Sequence, residues 1–150
     1  MSYLKERLAE ADRSAVIADT VKLIDDEVAS KGGLSGAALK GGYKVVKKLK
    51  NGRMIEKAVD MLLDEFTGAL SPLHDDYRAQ DDVNSFSRYL QSHDREASDA
   101  LLAITDKKAQ RAESKVIAST YKKLRGQAEK HVKDALPGVG RLIERHVPQS

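Results

Sequence analysis

The chain has 150 residues, 41% hydrophobic and 33% charged, a balance that suits one folded, helix-rich domain and excludes a disordered one. It contains no Cys, which removes disulfides, thiol nucleophiles and thiolate metal sites. The formal charge of +3 hides an alternation: residues 1–31, 32–57, 58–106 and 107–150 carry net charges of −2, +6, −8 and +7. Either basic and acidic helices neutralise each other side by side, or the fold gathers one basic face for an anionic partner. With five Tyr, two Phe and no Trp, the core is expected to consist of Leu, Ile, Val and Ala.

The N-terminal MSYLKERLAEADR has no apolar targeting segment, and no apolar run approaches the roughly 18 residues of a membrane span, so a cytoplasmic protein is expected. Apolar residues then recur at helical spacing and nowhere alternate as in a strand. Ile17, Val21, Ile24 and Val28 form a stripe capped by Asp12 or Ser14, with a left-handed ending at Gly32-Gly33. Leu34, Ala38, Gly42, Val45 and Leu49 form a second stripe, closing at Asn51-Gly52. Ile55, Val59, Leu62, Phe66 and Leu70 form a third.

Ser71-Pro72 reads as a new helix start, with Ser71 as cap, Asp75 and Asp76 in the first turn, and His74 exposed beside them. Gln80-Asp81-Asp82 interrupts that helix. Phe86, Tyr89 and Leu90 predict a short helix ending near His93, after which Asp94 caps one that buries Ala97, Leu101 and Ile104. Ile117, Tyr121, Leu124, Ala128, Val132 and Ala135 predict a long final helix, kinked or broken at Pro137-Gly138. The expectation is an all-α, single-domain bundle of six to eight helices over residues 1–150. A faint echo links Tyr43-Lys44, Leu49, Gly52 and Glu56-Lys57-x-Val59 with Tyr121-Lys122, Leu124, Gly126 and Glu129-Lys130-x-Val132, as a duplicated helix pair or coincidence in a Lys-rich helical chain would produce.

Residues 32–53 hold six of the ten glycines, six basic residues and no acid. A phosphate loop would need G-x-x-x-x-G-K-[ST] after a strand, but Gly36 and Gly41 are followed by Gly42 and no strand precedes them. The G-x-G-x-x-G spacing is absent, and Gly33-Leu34-Ser35-Gly36-Ala37 lacks the last glycine and the sheet of a nucleophile elbow. Gly33, Ala37 and Gly41 lie four apart, as do Ala38 and Gly42, a spacing that suits close helix packing inside the bundle.

Opposite that small-residue face, Lys40, Lys44, Lys47 and Lys48 form a cationic stripe. It is open to solvation, pairing with the acidic 58–106 region, nucleic-acid phosphates, anionic lipid or an acidic protein. A helix-turn-helix through Ala37, Gly41 and Val45 fails at Lys47, where an apolar residue belongs. The four histidines (His74, His93, His131, His146) lie in no E-x-x-H or H-E-x-x-H pattern. The paired acids Asp25-Asp26, Asp64-Glu65 and Asp81-Asp82 sit off the apolar stripes. No metal, cofactor or catalytic residue is therefore expected.

The strings AVIADTVKLIDDEVASKGGLSGAALKGGYKVVKKLK, DALLAITDKKAQRAESK and TYKKLRGQAEKHV resemble a family of small uncharacterised helical proteins of actinobacteria and other bacteria. The resemblance spans nearly the whole chain. It implies an all-α fold and brings no activity or ligand with it.

The functional expectation is a non-enzymatic protein-interaction module. Its basic face would be Lys40, Lys44, Lys47, Lys48, Lys122, Lys123 and Arg125, and its partner an acidic protein. The alternative is a peripheral binder of anionic lipid or nucleic acid through the Lys40–Lys48 stripe. Convergence of the two basic segments on one face would favour binding; burial of each against residues 58–106 would not.

Overall fold

The apolar stripes become the helices of an all-α bundle in the computed structural model, which describes residues 3–80 and 85–147. Eight helical elements follow one another among these residues: α1 (Tyr3–Glu10), α2 (Arg13–Ser30), α3 (Gly33–Lys47), α4 (Leu49–Gly52), α5 (Met54–Arg78), α6 (Phe86–Ser92), α7 (Asp94–Gln110) and α8 (Lys115–His146). Asp81 and Asp82, expected to interrupt a helix, lie outside the described residues.

Asp12 caps α2 by accepting the Ala15 N–H at 3.3 Å, as the sequence predicts. The ending differs from expectation: α2 stops at Ser30, Lys31 and Gly32 are extended, and only Gly33 is left-handed (φ +72°), opening α3. At this corner a Cβ on Gly36 would sit 2.7 Å from the Lys31 carbonyl carbon, so the tight return requires glycine there. The next turn closes where predicted. Lys50, Asn51 and Gly52 are all left-handed, with φ of 53°, 59° and 82°.

One expected helix boundary does not occur, and at Pro137-Gly138, where a kink or break was expected, there is no break. α5 runs through Ser71-Pro72, and α8 runs through Pro137 to His146. Ser71 donates back to the Thr67 carbonyl at 2.7 Å instead of capping a new helix. The physical reason is burial on both sides of each proline. Leu70, Leu73 and Tyr77 keep one α5 face in the core, as Leu136, Leu142 and Ile143 do for α8. That gain outweighs the one backbone hydrogen bond that each proline removes.

The core gathers where α1, the second half of α5, α6, α7 and the second half of α8 meet. It contains Leu4, Leu70, Leu73, Leu90, Leu136, Ile143 and Val147 around Tyr77, Phe86 and Tyr89. The purely aliphatic core expected from composition is thus replaced by one with an aromatic centre. Phe86 and Tyr77 are 5.4 Å apart between ring centroids, and Phe86 stands edge-on to His74 at 4.8 Å. α6 is pressed onto α8 at Gly140, where a Cβ would come within 2.4 Å of the Ser87 Cα. Glu144 accepts the Ser87 N–H at 3.0 Å, and the Ser87 hydroxyl donates to the Pro137 carbonyl at 3.0 Å.

α3 lies far from this core. Among its described side chains none of the large apolar ones is fully buried, and Leu34 is 93% exposed.

Candidate functional site

The stripe Leu34, Ala38, Gly42, Val45 and Leu49 was expected to face the bundle core, and only Leu49, half-buried in α4, and Gly42 turn partly inward. Instead Ala38, Gly42 and Val45 form one wall of an open groove between α3 and α8. The side of α3 turned toward the bundle carries Leu39, Tyr43 and Val46, all half-buried. The groove encloses about 600 Å³ and is lined by Ala38, Gly41, Gly42 and Val45 from α3. Val116, Ser119, Thr120 and Leu124 line it from α8, with Lys115 and Lys123. Val45 is 50% exposed and Val116 42%, so the groove is apolar and open to solvent.

The small residues do not serve as a buried crossing, with one exception. A Cβ on Gly33 or Gly41 would meet nothing within 4 Å, and Ala37 is exposed. Gly33 and Ala37 therefore lie on the solvent side, and Gly41 on the open wall of the groove. Ala38 is exposed as well and lines the groove. Only Gly42 makes the close approach: its Cβ would lie 2.8 Å from Thr120 Cγ2 and 3.2 Å from Leu124 Cδ1. Glycine there lets the α3 backbone settle against α8 and closes the floor of the groove.

Two polar clamps hold the groove walls in place. Tyr43 on α3 donates its hydroxyl to Asp25 of α2, and Lys47, one turn on, reaches the same carboxylate oxygen at 2.9 Å. Tyr121 on α8 donates to Asp106 of α7, which Arg125 also grips, at 2.8 and 3.1 Å. The Tyr43 hydroxyl holds the Asp25 carboxyl below the usual carboxylate range, aided by Lys47. Asp106 is lowered by Arg125 first and Tyr121 second. Burial and the adjacent carboxylate raise both tyrosines.

The seven cations singled out in the sequence therefore divide. Lys47 and Arg125 are engaged in the clamps. Lys40, Lys44, Lys48, Lys122 and Lys123 are exposed, with no ion pair to a described residue. Lys123 lines the groove directly. Lys44 and Lys48 follow Gly41 and Val45 by three residues, so they flank the α3 wall rather than standing opposite it. Lys115 joins them from α8. Sequence reading passed over Lys115 and Val116; the available signal was Val116, an apolar residue one position off the Ile117-Tyr121-Leu124 stripe. The acidic middle does take some basic charge: besides Arg125–Asp106, Lys108 meets Glu65 at 2.7 Å.

The histidines are scattered. His74 is fully buried near the C-terminal end of α5, not at an exposed first turn, because α5 continues through Pro72. Tyr3 stacks on it at 5.9 Å, and neither ring nitrogen has a hydrogen-bond partner among the described residues. Burial and then Arg78 push its pKa down to about 4. His146 meets Asp19 at 2.6 Å near the C-terminus of α8, and His93 Nδ1 lies 3.0 Å from the Tyr89 carbonyl oxygen. Among the described residues no three His, Asp or Glu side chains converge as metal ligands, and no helix is long and apolar enough to cross a membrane.

Comparison with curated proteins gives no match, and comparison with solved structures gives none. Residues 4–147, nearly the whole described fold including both groove walls and both clamps, match the family of unknown function DUF6918, and the chain belongs to that family.

Proposed function

We propose that the protein is a non-enzymatic interaction module of a bacterial cytoplasm that receives an acidic protein surface on the face shared by α3 and α8. One observation carries this reading. Lys115 and Lys123 of α8 line one apolar groove, and Lys44 of α3 and Lys48 at its C-cap follow the lining residues Gly41 and Val45 by three positions; none of the four has an ion pair among the described residues. Lys108 and Arg125, which do pair with the acidic middle, are not among the residues that line the groove. Among the described residues no aromatic side chain lines the groove for a base to stack on, and a concave floor suits a protruding protein element better than a flat lipid surface.

The test compares immobilised wild-type protein with K44E/K48E/K115E/K123E and with a control reversing Lys57, Arg88, Arg95 and Arg111. A protein enriched from bacterial lysate is purified and rebound to each. Loss of rebinding with the first variant alone supports the reading. Equal rebinding to both variants overturns it. Salt-sensitive binding to anionic vesicles or duplex DNA, with no protein rebound, transfers the face to lipid or nucleic acid.

A further inference from the structure

We infer that the α3–α8 groove is the seat of one amphipathic α-helix of an acidic partner, its apolar stripe on the groove floor and its acidic flanks against the lysines. This rests on the interaction-module reading and specifies what that face takes.

The large apolar side chains left exposed among the described residues point to the groove. Of Leu34, Val45, Met61 and Val116, two line it, and Leu34 sits one turn before Ala38 on the same α3 row. α3 as a whole sinks no large apolar side chain fully into the core, so its apolar row is committed to this outer surface. Burying such a row recovers roughly 25 cal/mol per Å² of apolar area, and here the chain itself leaves it wet.

Dimensions and wall chemistry select the shape of the occupant. Ala38 to Val45 spans about 10 Å of α3 and Lys115 to Leu124 about 14 Å of α8, at 1.5 Å rise per residue. That matches two to three turns of a third helix. Ala38, Gly41 and Gly42 give one wall no bulk, so a helix backbone can approach. Both walls are helices whose backbone groups are already bonded internally, so an extended strand has no edge to join.

Charge selects the partner's composition. Helical spacing puts Lys44 and Lys48 three positions after the wall residues Gly41 and Val45, and Lys115 and Lys123 line the other wall. A seated helix therefore meets lysines on both sides of its apolar stripe and needs Asp or Glu on both flanks. The lysines steer and orient, while the floor supplies affinity. This chain's own exposed acidic helix face is a poor occupant: Asp60 and Asp64 beside Met61 are held by Arg13, and Glu65 by Lys108.

The test uses fluorescence anisotropy with the full chain and two labelled peptides of about 16 residues and identical composition. One places Leu at helical i, i+3, i+4, i+7 spacing between Glu flanks; the other scrambles that stripe. Gly41→Leu fills the groove where an added Cβ meets nothing, and Val116→Gln changes its opposite wall at an exposed position. The expected result is at least about ten-fold weaker binding for the scrambled peptide, and a similar loss for the striped peptide with either variant. Folding of both variants is checked by circular dichroism.

Equal binding of both peptides, untouched by G41L and V116Q but lost in K44E/K48E/K115E/K123E, overturns the helix seat and leaves the basic-face reading standing. No binding of the striped peptide to the wild type also overturns the seat; the rebinding experiment then decides the basic face separately.

Discussion

Tyr43 and Tyr121 make the same contact in different parts of the chain: each donates its hydroxyl to an aspartate of the preceding long helix, Asp25 or Asp106. In both places a cation four residues on, Lys47 or Arg125, closes on the same carboxylate. The echo of Tyr43-Lys44 in Tyr121-Lys122 thus coincides with two equivalent clamps, one holding each wall of the groove. A tyrosine with a basic residue one turn later presents a donor and a charge on one helix face, which a single carboxylate can accept together.

Removing either hydroxyl leaves the ion pair but takes away one charge-assisted hydrogen bond, and at Tyr121 the 2.7 Å contact with the Thr105 hydroxyl as well. Tyr43→Phe and Tyr121→Phe should each lower stability by about 1 kcal/mol in urea unfolding. The clamps share no residue, so the double variant should lose the sum of the two. Strong non-additivity would mean that the groove walls unfold as one linked unit.

Stability should fall on mild acidification. His74 titrates near 4 in the folded protein against an ordinary 6.5, so between these values the unfolded chain binds the extra proton. Its contribution is complete above pH 6.5, is lost progressively as pH falls toward 4, and changes no further below that. His131, lowered by burial and by Lys31 and Lys130, acts in the same direction. The wild type should lose roughly 2–3 kcal/mol between pH 7 and 4.5 through His74. Urea titrations at the two pH values should show most of that slope removed in His74→Leu. An unchanged slope would show that the buried imidazole does not stay neutral.

Two glycine-to-alanine changes should have opposite signs. Gly140→Ala drives a Cβ within 2.4 Å of the Ser87 Cα, a backbone neighbour that cannot turn aside, and should cost roughly 2–3 kcal/mol. Gly41→Ala meets nothing within 4 Å inside α3 and should gain about 0.5–1 kcal/mol from helix propensity. Thermal melts of both variants settle the signs.

Pro72→Ala should raise stability by about 1–3 kcal/mol, because the position is exposed, lies inside α5 and lacks the N–H that would reach the Gly68 carbonyl. If Pro72→Ala melted lower than the wild type, a local bend at Pro72 would have to be needed for Leu73 and His74 to reach the core.

Local residue pattern is enough to specify the helical class, the long final helix, the Asp12 cap and the turn at Asn51-Gly52. Each follows from periodicity or from backbone preferences acting over a few residues. It also marked 32–53 as unusual and named most of the cations around the groove. What it could not determine was which apolar stripes find a partner. The row Leu34, Ala38, Gly42, Val45 has the spacing of a core face, yet only the placement of α3 outside the Phe86–Tyr77 centre leaves that row open. Likewise Ser71-Pro72 carries every local mark of a helix start, and long-range burial of Leu70, Leu73 and Tyr77 overrides it. The same continuation carries His74 from a solvent-facing first turn into the core. Which cations are engaged by Asp25 and Asp106 and which remain available depends on contacts 15 or more residues apart in the chain. Such distances are fixed by packing, because local preference acts over one turn and burial acts over the whole fold.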